Sequence, residues 1–281
     1  MSAGLHLTNL PGSIGVEVTG LDLLGSATSL AEIDALRDAL TSRHLLLVRG
    51  DVVPGPTHTG FVGRFGPLVP ERQLWGYVSN VRPDGIVREG ALLFHSDFAF
   101  THAPVRNISL HALEVPADGA PTLFADAARA ARVLPPDLRA RLAGRHVVNV
   151  YDFHRPDDQP MRIADADPRS PRWEHPVLAT HATSGVEVVM ANELHTDHIV
   201  GMPRAESDAL LAALFAVLYA EDNILEHRWR VGDLIIWDNI ALHHGRRDIP
   251  KHEPRTLQRV TLGDYTPWEL VPDLSELLAS R

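Results

Sequence analysis

The chain has 281 residues, of which 44% are hydrophobic and 22% charged, a composition typical of a globular protein with a large core. Its formal net charge of −10 argues against nucleic-acid binding, because neutralising phosphates requires a basic surface. It contains no cysteine, so disulfides, thiolate nucleophiles and iron–sulfur clusters are excluded, and any transition-metal site has to use His, Asp and Glu.

No targeting or membrane segment is predicted. The stretch "MSAGLHLTNLPGSIGVEV" lacks a basic region followed by a long apolar one, and no apolar run reaches membrane-spanning length. We therefore expect a cytoplasmic protein with neither a membrane nor a nucleic acid as partner, and the sequence is compatible with a homo-oligomer. No repeat or linker divides the chain, which predicts a single domain over 1–281.

Strand and helix signals begin near the amino terminus. The loose alternation in 13–23 ("SIGVEVTGLDL") predicts a strand. A capping-box pattern, "SLAE", opens a helix predicted over 29–43, and the apolar 44–50 predicts a buried strand. Proline and glycine are frequent in 51–90, which predicts a loop with one short helix at 59–65.

The middle of the chain opens with "LLFHSDFAF" (92–100), an apolar stretch that contains one imidazole and one carboxylate. Strands are predicted at 105–115 and 121–126, joined by the turn "PADGA", and a helical patch at 126–143. The segment 155–175 is rich in Pro, Asp and Arg and is predicted to be a surface loop or a flexible lid.

The last third contains the clearest helix, "AESDALLAALFAVLYAED" at 205–222. A turn and a buried strand follow in "HRWRVGDLIIWDN" (227–239), and the final strand is "RTLQRVTLGDY" (255–265). Many short strands with few helices favour a β-barrel or jelly roll flanked by helices.

The apolar stretch around His95 and Asp97 suggests a metal site. In a strand, residues i and i+2 lie on one face about 6.6 Å apart, so both side chains can face one ion, which also neutralises the carboxylate. Two histidines with one carboxylate are typical of mononuclear non-haem Fe(II). The triplet alone is weak evidence, because the chain has a second one, His195–Asp197.

The stretch "IIWDNIALHHGR" offers a third ligand, either His243 or His244. Strand alternation allows only one of the two to face the metal. The alternative to metal binding, for either residue, is a purely structural role as a half-buried histidine that hydrogen-bonds to a backbone carbonyl.

The chain resembles the taurine dioxygenase (TauD/TfdA-like) family of Fe(II)/2-oxoglutarate-dependent oxygenases over nearly its whole length. The resemblance rests on "IGVEVTGLDL", "RFGPL", "HSDFAF", "PTLFAD", "RWRVGDLIIWDN", "HHGRR" and "RTLQRVTLGD". The spacings of the family also hold: Thr122 lies 25 residues after Asp97, His244 six after Asp238, Arg255 eleven after His244, and Arg259 four further on.

The resemblance implies an α+β fold, a double-stranded β-helix of the jelly-roll or cupin type with flanking helices. It implies that His95, Asp97 and His244 hold Fe(II), while His243 faces away from the metal.

The implied cosubstrate is 2-oxoglutarate, whose far carboxylate is expected to meet Arg255 and the Thr122 hydroxyl. A buried carboxylate needs charge-assisted partners, and the planar guanidinium binds it bidentately. For Arg259 two roles stay open, holding an anionic group of the substrate or helping to anchor 2-oxoglutarate.

The implied reaction uses O₂ to oxidise, most simply to hydroxylate, an unactivated C–H bond of a small organic molecule, with succinate and CO₂ as coproducts. Asp97 argues against halogenation, because halogenating relatives carry a small residue in place of this carboxylate. Desaturation, cyclisation and epoxidation stay open.

Departures from the taurine pattern argue against sulfonates and favour an amino-acid-derived or specialised-metabolite substrate. Glu71 stands near the place of a taurine-binding histidine, Ile240 follows "WDN" where relatives often have arginine, and His195 replaces an aromatic pocket residue. Glu71 is expected either to meet an amine of the substrate or to be a plain surface residue.

Two other classes of protein are compatible with the metal ligands. A zinc-type hydrolase or isomerase would use the same triad with an activated water, but it leaves Thr122 and Arg255 without a purpose. A non-catalytic ligand-binding barrel has no use for an intact triad. Oxygen-dependent release of succinate separates the three classes.

Overall fold

The computed structural model describes residues 4–24, 28–70, 73–86, 90–118, 120–248 and 253–279. Glu71, one of the predicted pocket residues, lies outside these ranges. The described chain mixes helices with many short strands, as the sequence predicts.

The strands in chain order are β1 (His6–Asn9), β2 (Val16–Thr19), β3 (Leu45–Val48), β4 (Leu68–Val69), β5 (Gly76–Ser79), β6 (Leu92–His95), β7 (Asn107–Glu114), β8 (Thr122–Asp126), β9 (His146–Val150), β10 (Arg172–Pro176), β11 (Leu178–Thr180), β12 (Glu187–Val189), β13 (Thr196–Ile199), β14 (Ile224–His227), β15 (Leu234–Asp238), β16 (Leu242–Arg246) and β17 (Thr256–Leu262). The helices are α1 (Leu30–Arg43), α2 (Gly55–Val62), α3 (Ala127–Val133), α4 (Pro136–Leu142), α5 (Arg204–Leu218), α6 (Pro267–Leu270) and α7 (Leu274–Ala279).

Most strands belong to two sheets. The larger sheet has the order β1-β2-β3-β15-β7-β17-β4, with β5 also paired to β17, and the smaller sheet has the order β14-β8-β16-β6. A third sheet has the order β10-β9-β13, and β11 pairs with β12. The pairs formed by the described strands leave the two main sheets open, so these strands do not make a closed barrel.

The two main sheets pack against each other through a hydrophobic core. Phe124 of β8 lies edge-on to Trp237 of β15 across this core, with ring centroids 5.4 Å apart, and both side chains are buried. Leu257 of β17 and Leu242 of β16 belong to the same cluster. Burying each such side chain contributes on the order of 1.5–3 kcal/mol, so this core fixes the smaller sheet against the larger one.

Helix α1 begins where the capping-box pattern predicts. The Ser29 hydroxyl accepts from the Glu32 backbone N–H at 3.2 Å, and the Glu32 carboxylate accepts from the Ser29 N–H at 2.8 Å. The helix ends at Arg43 and buries Ile33, Leu36 and Leu40. The prediction of this helix is confirmed, because its signals are local in sequence.

The 51–90 segment contains more structure than a loop with a short helix at 59–65. Helix α2 begins earlier, at Gly55, and both β4 and β5 pair with β17. Strands of two and four residues are too short to show alternation, and their partner strand lies far along the chain.

The segment 155–175 is not wholly a surface loop. It runs into β10, which pairs with β9, and its Met161 is fully buried against Val150 and Leu194. Because the residues around Met161 in the sequence are polar, the sequence does not predict that Met161 is buried. Among the described residues, no helix combines the length and the apolar character needed to cross a membrane.

Candidate active site

Two neighbouring strands of the smaller sheet carry the candidate metal ligands. His95 is the last residue of β6 and pairs with His244 of β16, and their ring centroids lie 4.2 Å apart. Asp97 lies beyond the end of β6, so the prediction that His95 and Asp97 share one strand face is wrong. A turn in which Phe98 has φ of 61° brings the Asp97 carboxylate beside His95 instead.

The three side chains converge. Asp97 Oδ1 lies 3.0 Å from His95 Nε2 and 3.7 Å from His244 Nε2. One ligand atom from each residue lies within 4.8 Å of the other two. Both histidines are buried and Asp97 is half-buried. Two imidazoles and a carboxylate at these separations could hold one divalent transition metal.

Hydrogen bonds hold the rings of His95 and His243 in different environments. His95 Nδ1 lies 2.9 Å from the Leu93 carbonyl, and donating there leaves the Nε2 lone pair for a metal. His243 faces the other side of β16, where Nδ1 lies 3.0 Å from the Tyr219 hydroxyl and Nε2 lies 3.1 Å from the Val189 carbonyl. His243 is thus a buried histidine whose two nitrogens both have structural partners.

Asn239 fixes the turn that carries Asp97. Its amide oxygen accepts from the Asp97 N–H at 2.9 Å, and its Nδ2 donates to the carbonyls of Asp97 at 3.1 Å and Val105 at 2.8 Å. Asn239 is fully buried. Sequence reasoning did not assign it a role, although it belongs to the "WDN" stretch.

Arg259 contacts the second oxygen of the candidate carboxylate ligand, with Nη2 2.8 Å from Asp97 Oδ2. Burial works to raise the pKa of Asp97, but the charge of Arg259 and the neighbouring His95 and His244 outweigh it and hold that pKa well below its usual range. Burial also keeps the pKa of His244 well below its ordinary value. The site therefore offers an ionised carboxylate and a neutral imidazole, the forms in which these groups bind metals.

A buried guanidinium lies in the same cavity. Arg255 is 3% exposed, its Nη2 lies 3.4 Å from the Thr122 hydroxyl, and its Nε has no hydrogen-bond partner. Burial lowers the pKa of Arg255 to about 9, and the neighbouring charge of Arg246 adds to this effect. In the described part of the chain no carboxylate is within ion-pair distance of Arg255. A bound carboxylate would relieve the cost of this buried cation.

Trp229 is a second residue that sequence reasoning did not assign. Its Nε1–H donates to the Thr122 hydroxyl oxygen at 2.9 Å, and its ring is buried. The only signal was its place in the "RWRVGDLIIWDN" stretch.

A cavity of about 600 Å³ connects these residues. Its lining includes every predicted site residue in the described ranges: His95, Asp97, Thr122, His195, His244, Arg255 and Arg259. Aromatic side chains that no sequence pattern indicated also line it, among them Phe100, Tyr151 and Phe153. The two residues of the second His-x-Asp triplet do not act together. His195 lines the cavity, whereas Asp197 pairs with His198 at 2.7 Å and with Arg204 at 3.2 Å.

Two buried histidines and a carboxylate beside a cavity with a buried arginine are the arrangement expected of a mononuclear metal-dependent oxygenase. A family model described as "Taurine catabolism dioxygenase TauD, TfdA family" matches residues 6–261. The chain therefore belongs to the TauD/TfdA family.

Curated relatives support the same assignment. The alpha-ketoglutarate-dependent 2,4-dichlorophenoxyacetate dioxygenase of Cupriavidus pinatubonensis is 33% identical, and the match covers 89% of this chain and 94% of that protein. The alpha-ketoglutarate-dependent sulfate ester dioxygenase of Pseudomonas putida is 29% identical over 94% of this chain and 91% of that protein. Pentalenolactone F synthase of Streptomyces avermitilis is 27% identical over 92% of this chain and 94% of that protein.

A solved structure agrees on the fold. A putative alpha-ketoglutarate-dependent 2,4-D dioxygenase from Burkholderia xenovorans superposes with a TM-score of 0.73 at 27% identity, covering 93% of this chain and 98% of that one. The protein is thus an oxidoreductase that uses Fe(II), 2-oxoglutarate and O₂ to oxidise a small organic substrate. The predicted family, activity and cofactors are confirmed, and the hydrolase and ligand-binding alternatives are not favoured.

Proposed function

We propose that His95, Asp97 and His244 hold the ferrous ion, and that Arg255 and Thr122 bind the far carboxylate of 2-oxoglutarate. The observation that carries this proposal is the convergence of three ligand atoms within 4.8 Å of one another. They share a cavity with a buried guanidinium that has no carboxylate partner among the described residues. A hydrolase needs the three metal ligands but has no use for the buried guanidinium.

When bound, Fe(II) and 2-oxoglutarate supply the oxidising chemistry, in which O₂ converts 2-oxoglutarate to succinate and CO₂ and a substrate C–H bond gains one oxygen atom. The residues of the chain bind and orient the reactants and keep water out of the site. The Arg259 contact with Asp97 Oδ2 favours a positioning role, since it leaves Oδ1 to face the two histidines. Neither of the two roles expected for Arg259, holding an anionic group of the substrate or anchoring 2-oxoglutarate, describes this contact.

The proposal also covers the type of fold, the domain, the location of the enzyme and its reaction. The two packed sheets form a double-stranded β-helix of the jelly-roll type, and residues 1–281 form one catalytic domain in which 155–175 borders the cavity as a lid. We expect the enzyme in the cytoplasm, without nucleic-acid or membrane partners, and compatible with a homo-oligomer. Hydroxylation of a specialised metabolite or an amino-acid derivative is the favoured reaction.

Anaerobic addition of Fe(II) and 2-oxoglutarate tests the proposed function directly. We expect a visible charge-transfer band of the chelate, and after admission of O₂ a release of succinate that requires oxygen. A protein that binds Fe(II) but gives neither the band nor succinate is not a 2-oxoglutarate enzyme. Succinate formed without O₂ would equally contradict the proposal.

Trp229 is expected to orient the Thr122 hydroxyl toward 2-oxoglutarate. A hydroxyl has two acceptor sites and one proton, and here Trp229 Nε1–H and Arg255 Nη2–H occupy the acceptor sites, which leaves the proton for a carboxylate. Trp229→Phe keeps most of the ring volume but removes the donor. We expect it to weaken 2-oxoglutarate binding about 3- to 10-fold, as measured by titrating the charge-transfer band.

The control for this prediction is a double-mutant cycle. In a Thr122→Val background, Trp229→Phe should have no further effect on the dissociation constant of 2-oxoglutarate. Trp173→Phe, at a tryptophan that is 48% exposed, should leave that constant unchanged. An undiminished effect of Trp229→Phe in the Thr122→Val background would show that Trp229 acts through packing alone.

A further inference from the structure

An aromatic wall leads away from the candidate metal ligands. It consists of Phe98, Phe100, Tyr151, Phe153 and His195, all of which line the cavity. Phe100 and Tyr151 stack with centroids 4.9 Å apart, and Tyr151 meets Phe153 edge-on at 4.8 Å. The His195 ring contacts Phe100, Tyr151 and also the candidate ligand His95, at 5.2, 5.3 and 5.6 Å. The wall therefore begins at the metal centre.

His195 differs from His58 and His243, two buried histidines with structural roles. It is 2% exposed, its Nδ1 is buried without a partner, and neither of its ring nitrogens makes a hydrogen bond within the described residues. His58 and His243 are equally buried, yet each has partners on both ring nitrogens. Unlike Nδ1, Nε2 is not closed off, and because His195 lines the cavity, Nε2 is the ring nitrogen available to a ligand there.

The charges around the wall disfavour an anion there. Asp157 accepts a hydrogen bond from the Tyr151 hydroxyl at 3.1 Å, and its negative charge acts on Arg246. Arg259 contacts Asp97, and Arg255 is the proposed partner of 2-oxoglutarate. The wall itself contains no arginine or lysine. Arg246 also lines the cavity, but the opposite charge of Asp157 acts on it. A group on the wall therefore meets aromatic faces, one imidazole and no excess of positive charge.

We propose that the substrate carries an aromatic ring that packs on this wall, and next to the ring an uncharged oxygen or nitrogen that hydrogen-bonds to His195. This inference rests on the proposed function, since His195 would neighbour the oxidised carbon because its ring contacts His95, which would hold the metal. Stacked and edge-to-face aromatic pairs gain more than the burial of their area supplies, which favours an aryl group over an aliphatic one. His195 is then the residue that determines specificity.

Matched small molecules test this proposal. Acetophenone and α-methylstyrene have nearly the same planar shape, and only the first has a hydrogen-bond acceptor beside the ring. Cyclohexyl methyl ketone keeps the acceptor without the aromatic ring, and benzoate adds a negative charge. Each compound is titrated anaerobically into the enzyme loaded with Fe(II) and saturating 2-oxoglutarate, and its dissociation constant is read from the perturbation of the charge-transfer band.

The variant His195→Phe keeps the aromatic wall but removes both ring nitrogens. We expect it to weaken acetophenone binding about 3- to 10-fold more than it changes α-methylstyrene binding, with the affinity for 2-oxoglutarate unchanged. We also expect acetophenone to bind more tightly than cyclohexyl methyl ketone and than benzoate. The matched control His102→Phe, at an exposed histidine outside the cavity lining, should change none of these constants.

Several outcomes would overturn the inference. Equal effects of His195→Phe on acetophenone and α-methylstyrene binding would contradict the hydrogen bond to His195. Benzoate binding more tightly than acetophenone would contradict an uncharged group. Cyclohexyl methyl ketone binding more tightly than acetophenone would contradict the aromatic ring. Failure of acetophenone to perturb the band at millimolar concentration also contradicts it. Absence of the band itself contradicts the proposed function, so the two failures are distinguishable.

Discussion

Replacing His244 with alanine is expected to abolish the visible band of the Fe(II)–2-oxoglutarate chelate and the oxygen-dependent release of succinate. His244 Nε2 lies 3.7 Å from Asp97 Oδ1, and its ring is paired with that of His95 across β6 and β16. Without it, only one imidazole and one carboxylate remain at the centre. Anaerobic absorption spectroscopy and metal content after gel filtration measure the loss.

His243→Ala is the matched control for His244→Ala. His243 lies next to His244 on the same strand, but its nitrogens contact the Tyr219 hydroxyl and the Val189 carbonyl. We expect the variant to keep the band and to lose about 1–3 kcal/mol of stability, because buried polar partners are left unmet. A band that survives in His244→Ala and disappears in His243→Ala would reverse the proposed assignment of the ligand.

Replacing Arg255 with alanine is expected to raise the dissociation constant of 2-oxoglutarate at least about 100-fold. A bidentate guanidinium contributes two charge-assisted hydrogen bonds of about 1.5–3 kcal/mol each, and alanine offers neither of them. Arg255→Lys should restore only part of the affinity, because an ammonium cannot reproduce the planar fork. Titration of the charge-transfer band with 2-oxoglutarate measures both variants.

The control for Arg255→Ala is Arg247→Ala. The Arg247 side chain is 66% exposed and pairs with Glu226 at 3.0 Å, so its removal should leave 2-oxoglutarate affinity unchanged. Fe(II) binding in the absence of 2-oxoglutarate should be the same in both variants. Equal affinities for 2-oxoglutarate in Arg255→Ala and the parent enzyme would remove Arg255 from the cosubstrate site.

The sequence could identify the candidate metal and cosubstrate residues, because their spacings are preserved along the chain even where the local geometry is not. The pair His95 and Asp97 illustrates the difference. Their spacing marks them as partners, but β6 ends at His95. The turn that follows is held by contacts of the Asp97 backbone with Asn239, which lies far away in sequence. Alternation predicted correctly that only one of His243 and His244 faces the cluster.

The aromatic wall could not be predicted in the same way. Tyr151 and Phe153 follow β9, and His195 precedes β13, so these residues meet only because β9 pairs with β13 in the third sheet. No periodic pattern connects them in the sequence. The burial of Met161 within 155–175 was missed for the same reason, since it depends on contacts with Val150 and Leu194.

The division of labour between sheets has an evolutionary consequence. His95 and His244 belong to the smaller sheet, whereas Tyr151, Phe153 and His195 are attached to the third sheet, which contributes no ligand to the metal cluster. Mutations in the third sheet can therefore reshape what the enzyme accepts while the oxidising machinery is inherited intact.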